Sequence, residues 1–598
     1  MGVCDAAARE VPLLAARAGV RIYLAGLLAV VAALGCYHVN DGDLGFHLAT
    51  GREILRAGRI PTHNVLSFTE PDHVWLLHQG LPALLFELLW RHTGLAGLMA
   101  LKLLLLMGTW ALVFGAALAL GASAPWAVLC SLCAAAASAF RFELRPYLFT
   151  HLTLAWTLFA LARWARAAPR ALPLSAALAL ALGAQLHAGA LDSAIVLGCF
   201  ALGCALELPL ARLLGRSALS PSGLRAAGAV ALAALLGLGA AAALLSIYHP
   251  LGVRVLSVPF QMATHAYWSD HVVEFRRPDR LPFAPLAGYW LWLALSGVAL
   301  VLGLRLRRMH AGWLLMVVAY ACASLAFVRM AYAFALISVP LVAAVATGLF
   351  GATVRRALPL FALLASLALG FVYRDHTPGI GLTSWTWPRA AIGFMRAHAV
   401  AGPAFVSDAW AGPFLGELYP EQRVFFDNRL EAYSDGFARD VYQRVRYGGP
   451  GWDALLDRYD VQLVLLRYAT PGEARRSPGH VSLRQQLVLD ARYRLVYFDD
   501  DGELFVRVDG PNRALAEQRG IPGVDPDRRA FVGPPRHAAQ ALLRAAEAEM
   551  RSITALGLLA LALADAGDME HARALGVELQ ARAPDDPFVR GLSRWLAQ

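Results

Sequence analysis

This chain of 598 residues is short of charge: Asp, Glu, Lys and Arg make up only 16% of it. Soluble domains carry about 25% charged residues. Hydrophobic residues reach 58%, and the mean hydropathy is +0.51. This composition excludes an ordinary soluble protein and predicts a polytopic α-helical membrane protein with polar regions attached.

Lysine is almost absent, because Lys102 is the single lysine of the sequence. The formal net charge of +10 therefore comes from arginine. Many arginines lie in short segments between apolar runs and do not cluster on one polar surface. This distribution gives no indication of nucleic-acid binding; it is typical of a membrane topology signal.

Cysteine is missing from the C-terminal part of the chain. The last of the seven cysteines is Cys322. The large polar region that follows therefore has no disulfide and no thiolate metal site.

Long apolar runs fill the first 373 residues. A helix needs about 20 apolar residues to cross the hydrocarbon, and we count about eleven runs of suitable length. They lie at 21–38, 95–119, 124–141, 147–164, 171–188, 190–211, 226–247, 284–303, 311–328, 331–350 and 357–373. The run at 81–90 is too short and has polar flanks, which predicts an interfacial helix.

Arginine clusters orient these predicted helices. If the N-terminus is cytoplasmic, four clusters fall on the cytoplasmic side, in agreement with the positive-inside rule. The clusters are Arg163, Arg166 and Arg170; Arg212, Arg216 and Arg225; Arg305, Arg307 and Arg308; and Arg355 with Arg356. The outer side then receives the loops 39–94 and 248–283 and everything after 374. Arg141, Arg145 and Arg329 are exceptions, since they fall on the outer side.

The sequence predicts five regions: an N-terminal cytoplasmic tail (1–20), a transmembrane domain (21–373), an extracytoplasmic α/β domain (374–512), a linker (513–536) and a helical segment (537–598). The α/β prediction depends on short runs that are typical of strands. Strands are predicted at 403–408, 423–427, 461–466, 493–498 and 503–508, and helices at 388–399 and 452–459.

The final helical segment contains one stretch with the spacing of a tetratricopeptide (TPR) repeat. Gly567-Asp568, Ala572 and Pro584 have the turn, the small crossing residue and the helix-ending proline of that repeat. One copy cannot bury a solenoid core by itself. We therefore expect it to pack on its flanking helices or on a protein partner.

Two acids, Asp41 and Asp43, follow the first apolar run. A charged side chain costs about 2.5–3.5 kcal/mol at the membrane centre and less toward its edge, so acids in such a place are functional candidates. Residues 44–57 can form a helix with Asp43 as its N-cap, and Gly58 is placed to end it. His47 lies one turn after Asp43 on the same face.

The order and spacing of Asp43, Arg52-Glu53, Gly58 and Pro61 resemble the first outer loop of GT-C glycosyltransferases, membrane enzymes that use polyprenyl-phosphate-linked sugars. The resemblance is to the aminoarabinose-transferase and RgtA/B/C/D-like branches. In these branches an acidic residue follows the first helix, and an Arg-Glu pair then lies in an amphipathic helix. The likeness is strongest to a bacterial subgroup with a C-terminal soluble domain, through Tyr248-His-Pro-Leu-Gly252, Glu274 and Val424-Phe-Phe-Asp-Asn-Arg429.

The resemblance implies a GT-C-like fold in the bacterial cytoplasmic (inner) membrane. It also implies transfer of a sugar from a polyprenyl-phosphate donor to a lipid, glycan or protein acceptor. Asp43 takes the place of the catalytic carboxylate, with Asp41 as helper or alternative. The candidate substrate-binding residues are His47, Glu53, His78, Arg141, Arg145, Glu274 and Arg329.

Other interpretations of the first-loop residues stay open. Asp41 and Asp43 can simply cap the next helix, and His47 and His78 can be hydrogen-bonded interface residues. Asp-x-Asp with a nearby histidine can also bind a divalent cation such as Mg²⁺ or Mn²⁺.

The remaining candidates have structural alternatives too. Arg145 and Arg329 can anchor to lipid headgroups, and Glu274 can pair with Arg276 or Arg277 in a solvated loop. At the level of the whole protein, the alternatives to a glycosyltransferase are a non-enzymatic membrane scaffold, a transporter, or an O-antigen ligase or polymerase-like transferase.

Overall fold

A computed structural model describes residues 4–167, 171–215, 217–264, 271–305, 309–351, 357–468, 483–548 and 550–598. Its contacts divide the chain into two compact units. The first unit comprises Met1–Val39 and Leu76–Gly381, and the second comprises Asn40–Trp75 and Leu382–Gln598. Six arginines of the topology prediction lie outside the described residues: Arg170, Arg216, Arg307, Arg308, Arg355 and Arg356.

Apolar helices build the first unit. They span Cys4–Gly35, Gly80–Ala119, Ala124–Ala137, Tyr147–Arg166, Leu174–Leu186, Leu191–Leu213, Leu224–Tyr248, Phe283–Arg305, Ala311–Ala326, Ala331–Phe350 and Ala357–Asp375, with a short helix at Val258–Thr264. Within the described residues, six helical segments are long and apolar enough to cross a membrane: Gly80–Ala119, Ala188–Leu213, Leu224–Tyr248, Phe283–Arg305, Val328–Phe350 and Ala357–Asp375. A count of about eleven spans stays a prediction.

Gly94 interrupts the helix Gly80–Ala119 with a φ of 62° and a ψ of −154°. A positive φ is easily adopted only by glycine, which has no Cβ. The interruption separates the stretch that was predicted to be an interfacial helix from the predicted span at 95–119.

The second unit contains a four-stranded sheet. Its strands are β1 (Ala404–Val406), β2 (Leu463–Arg467), β3 (Tyr493–Phe498) and β4 (Gly502–Arg507), in the order β1-β2-β4-β3. β1 and β2 are parallel, and the other two pairings are antiparallel. All four strands lie at predicted positions and are almost fully buried.

The predicted strand at 423–427 is wrong. Val424 forms only isolated bridges, to Ser67 and to Ala404. The run of apolar residues at this place is buried, but it continues as an irregular segment and not as a ladder. Apolar runs of this length do not distinguish a strand from other buried backbone.

Helices and a small hairpin complete the second unit. The helices around the sheet span Arg389–Ala397, Asp408–Leu418, Gln443–Arg446, Trp452–Arg458 and Leu483–Leu489. The predicted linker contains the helix Arg513–Arg519 and the pair of strands Val524–Asp525 and Ala530–Phe531. The C-terminal helices span Ala539–Ala548, Ile553–Asp565, Met569–Arg582 and Pro587–Leu596; their kinship to a TPR repeat stays a prediction.

The first-loop helix, Asp43–Ala57, belongs to the second unit and packs on the helix Asp408–Leu418. Glycines line this contact. A Cβ on Gly45 would overlap the carbonyl group of Gly412, and a Cβ on Gly412 would overlap that of Gly42. The two backbones can therefore approach closely only because these positions lack side chains. This packing holds the predicted catalytic acids against the α/β domain.

Candidate functional site

Asp41 and Asp43 lie together at the start of the first-loop helix. The helix begins at Asp43 with Gly42 as its N-cap, so the prediction that Asp43 is the N-cap is wrong. The Oδ1 of Asp41 accepts the backbone N–H of Asp43 at 3.2 Å. Asp41 is buried and Asp43 is partly exposed. Both carboxylates thus lie where the positive end of the helix dipole stabilises negative charge.

The other end of this helix is as predicted. Gly58 has a φ of 66° and donates its backbone N–H to the carbonyl of Ile54 at 2.9 Å. A left-handed glycine at this position is a common way to end a helix.

Asn428 of the α/β domain contacts Asp43. Its Nδ2 lies 3.4 Å from the Oδ1 of Asp43 and donates to it. Asn428 is exposed, whereas its two neighbours in sequence are buried. Asn428 lies within the motif Val424–Arg429, but no signal in the sequence distinguishes it from its neighbours.

The neighbours of Asn428 form a buried ion pair. The Nη2 and Nε of Arg429 lie 2.6 Å and 2.8 Å from the carboxylate of Asp427, and both side chains have no exposed surface. Tyr433 donates its hydroxyl to the same carboxylate at 3.0 Å. Arg429 also donates to the Oδ1 of Asn64 at 2.9 Å and lies 4.4 Å over the ring of Trp75. The pair thereby joins the α/β domain to the first loop.

Glu53 has two partners that account for both of its carboxylate oxygens. Arg56 donates to them at 2.8 Å and 2.9 Å, and the hydroxyl of Tyr419 donates at 2.7 Å. Burial acts to raise the pKa of Glu53, but the bonds from Arg56 and Tyr419 outweigh it and lower the pKa. Arg52 supports the same contact by donating to the carbonyls of Tyr419 and Gly416 at 2.7 Å and 3.0 Å. The predicted role of Glu53 in substrate binding stays a prediction.

His47 is 2% exposed, and its ring lies 4.3 Å from that of Phe46. Within the described residues, no group of three or more His, Cys, Asp or Glu side chains is placed to hold a metal ion. The Mg²⁺ or Mn²⁺ alternative stays a hypothesis.

Charged candidates of the first unit converge on Glu274. Arg141 lies 2.7 Å from its carboxylate and Arg145 lies 3.3 Å from it. Burial acts to raise the pKa of Glu274, but the positive charges of Arg141, Arg145 and Arg329 outweigh it and lower the pKa to about 2. The carboxylate is therefore ionised near neutral pH.

The alternative pairing of Glu274 with Arg277 is not observed. Arg277 instead holds Asp279 at 3.0 Å in the same loop. Both of these side chains are well exposed, at 60% and 49%. Glu274 thus belongs to the buried arginine cluster and not to this solvated pair.

Arg141 is the most buried arginine of this cluster, at 5% exposure. Its guanidinium lies 4.2 Å over the ring of Tyr147. Its Nε meets no hydrogen-bond partner in the part of the chain that the structure describes. Arg329 lies 4.6 Å over the ring of Phe275, next to Glu274.

His78 also lies in the first unit, 5.0 Å from the ring of His187. Burial lowers the pKa of His78 to about 4, so it is neutral at physiological pH. His187 contacts the hydroxyl of Thr150 at 2.9 Å, and the Nε2 of His249 lies 3.0 Å from the carbonyl of Leu77. His249 was contained in the quoted Tyr248–Gly252 motif, but its contact with a distant segment could not be read from spacing.

Comparisons with known proteins give one kind of match. No protein-family model matches the chain, and no curated protein matches it. Among solved structures, it is similar to the crystal structure of the Archaeoglobus fulgidus oligosaccharyltransferase tethered through a disulfide bond to an acceptor peptide containing the NVT sequon. The TM-score is 0.50 at 10% identity, over 90% of this chain and 85% of the other.

This likeness shows the fold and nothing finer. The described residues form a mostly helical fold with six segments long and apolar enough to cross a membrane and with strands in the C-terminal region, and this fold is similar to that of the oligosaccharyltransferase. Membership of the GT-C superfamily and the branch within it both stay predictions.

Proposed function

We propose that this protein is a glycosyltransferase that moves a sugar from a polyprenyl-phosphate donor to an acceptor at the outer face of a bacterial cytoplasmic membrane. The observation that carries the proposal is the position of Asp43. It lies at the first turn of the first-loop helix, next to Asp41, in a chain whose fold is similar to that of an oligosaccharyltransferase. Fold likeness alone does not define chemistry, so the acids are the part to test.

Asp43 acts as the general base in this proposal. Its carboxylate takes the proton of an acceptor hydroxyl while the hydroxyl oxygen forms a bond to the anomeric carbon of the donor sugar. The bond from that carbon to the phosphate oxygen breaks, and the electron pair leaves with the lipid phosphate. A single displacement of this kind inverts the anomeric centre. Asp41 helps by holding the backbone N–H of Asp43.

Arg141, Arg145 and Arg329 are the proposed contacts for the departing phosphate. Guanidinium groups bind phosphate with charge-assisted and often bidentate hydrogen bonds. Positive charge held in place stabilises the negative charge that develops on the leaving group. Glu274 balances part of this charge in the structure, and phosphate oxygens offer the arginines an equivalent partner.

The test is transfer of radiolabelled sugar from polyprenyl phosphate by the purified protein, with lipid, glycan and peptide acceptors offered in parallel. We expect Asp43→Asn to lower the rate about a hundredfold to ten-thousandfold, the range for loss of a general base. Asp41→Asn is expected to have a smaller effect. Asp440→Asn, an exposed acid of the same unit, is the matched control and should retain the wild-type rate.

Full activity in both Asp41→Asn and Asp43→Asn would contradict the catalytic assignment and favour the scaffold alternative. Dependence on added Mg²⁺ or Mn²⁺ that a chelator abolishes would instead support the metal interpretation of the two acids.

A further inference from the structure

Asn428 is an exposed residue held between two buried ones. Asp427 and Arg429 have no exposed surface, and the amide of Asn428 lies 3.4 Å from the carboxylate of Asp43. A polar side chain on mobile backbone would not stay next to the carboxylate of Asp43. The backbone at Asn428 must therefore be rigid.

The ion pair on both sides of Asn428 provides that rigidity. The Oδ1 of Asp427 accepts the backbone N–H of Arg429 at 2.9 Å and its Nε at 2.8 Å. The carboxylate thus closes a short ring across Asn428. Tyr433 donates to the other oxygen of Asp427 at 3.0 Å, and a buried, hydrogen-bonded pair of this kind has one well-defined geometry.

The same ion pair also holds the loop that carries Asp43. Arg429 donates to Asn64 at 2.9 Å and lies over the ring of Trp75. Both residues belong to the segment Asn40–Trp75 of the second unit. Asn428 and Asp43 are therefore fixed relative to each other by one set of buried contacts.

We infer that Asn428 is a positioning residue that orients the carboxylate of Asp43 by donating its amide N–H to Oδ1. The inference rests on the proposed function, because it assigns Asn428 to the same acid. A donor to a carboxylate also favours its ionised form, which is the form that a general base needs at the start of the reaction.

Other charged groups lie on the elements packed here and set the background for any pH dependence. They are Asp41, His47, Arg52, Glu53 and Arg56 on the first-loop segment, Asp408 and Glu417 on the helix packed against it, Arg446 at 2.6 Å from Asp408, and Asp427 with Arg429. A substitution at Asn428 leaves all of these groups in place. A change in the pH profile of an Asn428 variant is therefore caused by the loss of the Asn428 amide.

The experiment is the pH dependence of sugar transfer from polyprenyl phosphate by the full-length protein. We expect Asn428→Ala to lower kcat about tenfold with little change in KM, since the lost bond acts on the base and not on substrate binding. The acidic limb of the profile should move up by about one pH unit. Asn428→Asp should move it further, because a second carboxylate disfavours ionisation of Asp43, and Asn428→Gln should restore part of the rate.

Asn512→Ala is the matched control. Asn512 also lies in the second unit, and its amide bonds the backbone of Ala401 at 3.1 Å and 2.8 Å. Its loss should reduce thermal stability without moving the acidic limb. A purely structural role of Asn428 would give the same result in Asn428→Ala and would overturn the inference.

Failure of the inference can be told apart from failure of the proposed function. If Asp43→Asn is inactive while Asn428→Ala keeps the wild-type kcat and pH profile, only the positioning role is wrong. If Asp43→Asn is fully active, the base assignment is wrong, and the positioning role is wrong with it.

Discussion

Two arginine–carboxylate pairs in this protein have similar distances but very different surroundings. Arg429 and Asp427 in the second unit approach to 2.6 Å, and neither has any exposed surface. Arg141 and Glu274 in the first unit approach to 2.7 Å, with side-chain exposures of 7% and 27%. The two pairs are therefore alike in distance and differ in how deeply their side chains are buried.

The difference lies in how far each carboxylate is shared. Asp427 pairs with an arginine two residues away and is further bonded by Tyr433. Glu274 is reached by two arginines from a distant segment, and part of its surface faces solvent. The Asp427–Arg429 pair therefore has the properties of a permanent structural contact, and we call it the brace. The Arg141–Glu274 pair has the properties of a site where one anion can replace another.

Removing Asp427, one partner of the brace, should cause the largest loss of stability. Asp427→Asn leaves the guanidinium of Arg429 fully buried without its counter-charge, which we expect to cost about 3–5 kcal/mol of unfolding free energy. Denaturant unfolding of the purified protein, monitored by tryptophan fluorescence, measures this loss. Asp427→Leu combined with Arg429→Met removes both charges and should cost clearly less. Equal losses in the single and double variants would mean that the ion pair is not what holds the segment.

The brace also illustrates what can be predicted from the sequence. Short apolar runs predicted the four strands of the sheet, because the residues of a buried strand are themselves mostly apolar. The run at 423–427 misled for the same reason, since its apolar residues are buried without a continuous ladder. Local pattern indicates burial but not the partner against which a residue is buried.

The candidate site depended on long-range packing that no local pattern encodes. Asp41 and Asp43 were predicted from their place after an apolar helix. Asn428 lies almost 400 residues later and is exposed, so nothing in its own segment indicates a contact with Asp43. The glycines that bring the first-loop helix against Asp408–Leu418 likewise resemble any others in the sequence.

Substitution of Glu274, the carboxylate that two arginines share, should reduce stability less than substitution of Asp427, and bound phosphate should offset part of the loss. Glu274→Gln keeps a carbonyl oxygen as acceptor for the arginines at a position whose side chain is 27% exposed, so we expect a loss of about 1–2 kcal/mol at pH 7. Because phosphate can take the place of the lost carboxylate, polyprenyl phosphate should raise the midpoint of thermal unfolding more in Glu274→Gln than in the wild type. Asp427→Asn should show no such gain. Asp279→Asn, which removes an exposed acid of the same loop, is the control and should behave like the wild type.

The pH dependence of this pair has a definite sign. The pKa of Glu274 is lowered to about 2 from an ordinary value of 4.5. Its contribution to stability is therefore complete above pH 4.5 and is lost as the pH falls through 2. The wild type and Glu274→Gln should differ at pH 7 and converge in strong acid; a constant difference would show that the charge of Glu274 is not responsible.

A third carboxylate, that of Glu53, is intermediate in side-chain exposure, at 6%. The variant that tests it should give the smallest effect, because it removes a single neutral hydrogen bond. Glu53 is buried, but its arginine partner Arg56 is 57% exposed, and the neutral hydroxyl of Tyr419 supplies the other bond. Tyr419→Phe removes that one bond and should cost about 1 kcal/mol at pH 7. Since the hydroxyl helps to lower the pKa of Glu53 below 4.5, the cost should shrink as the pH falls below that value and the carboxylate becomes protonated. Thermal unfolding of the wild type and Tyr419→Phe in a series from pH 7 into strong acid measures both. A difference that stays the same over the whole series would place the hydroxyl in packing and not in the charge balance of Glu53.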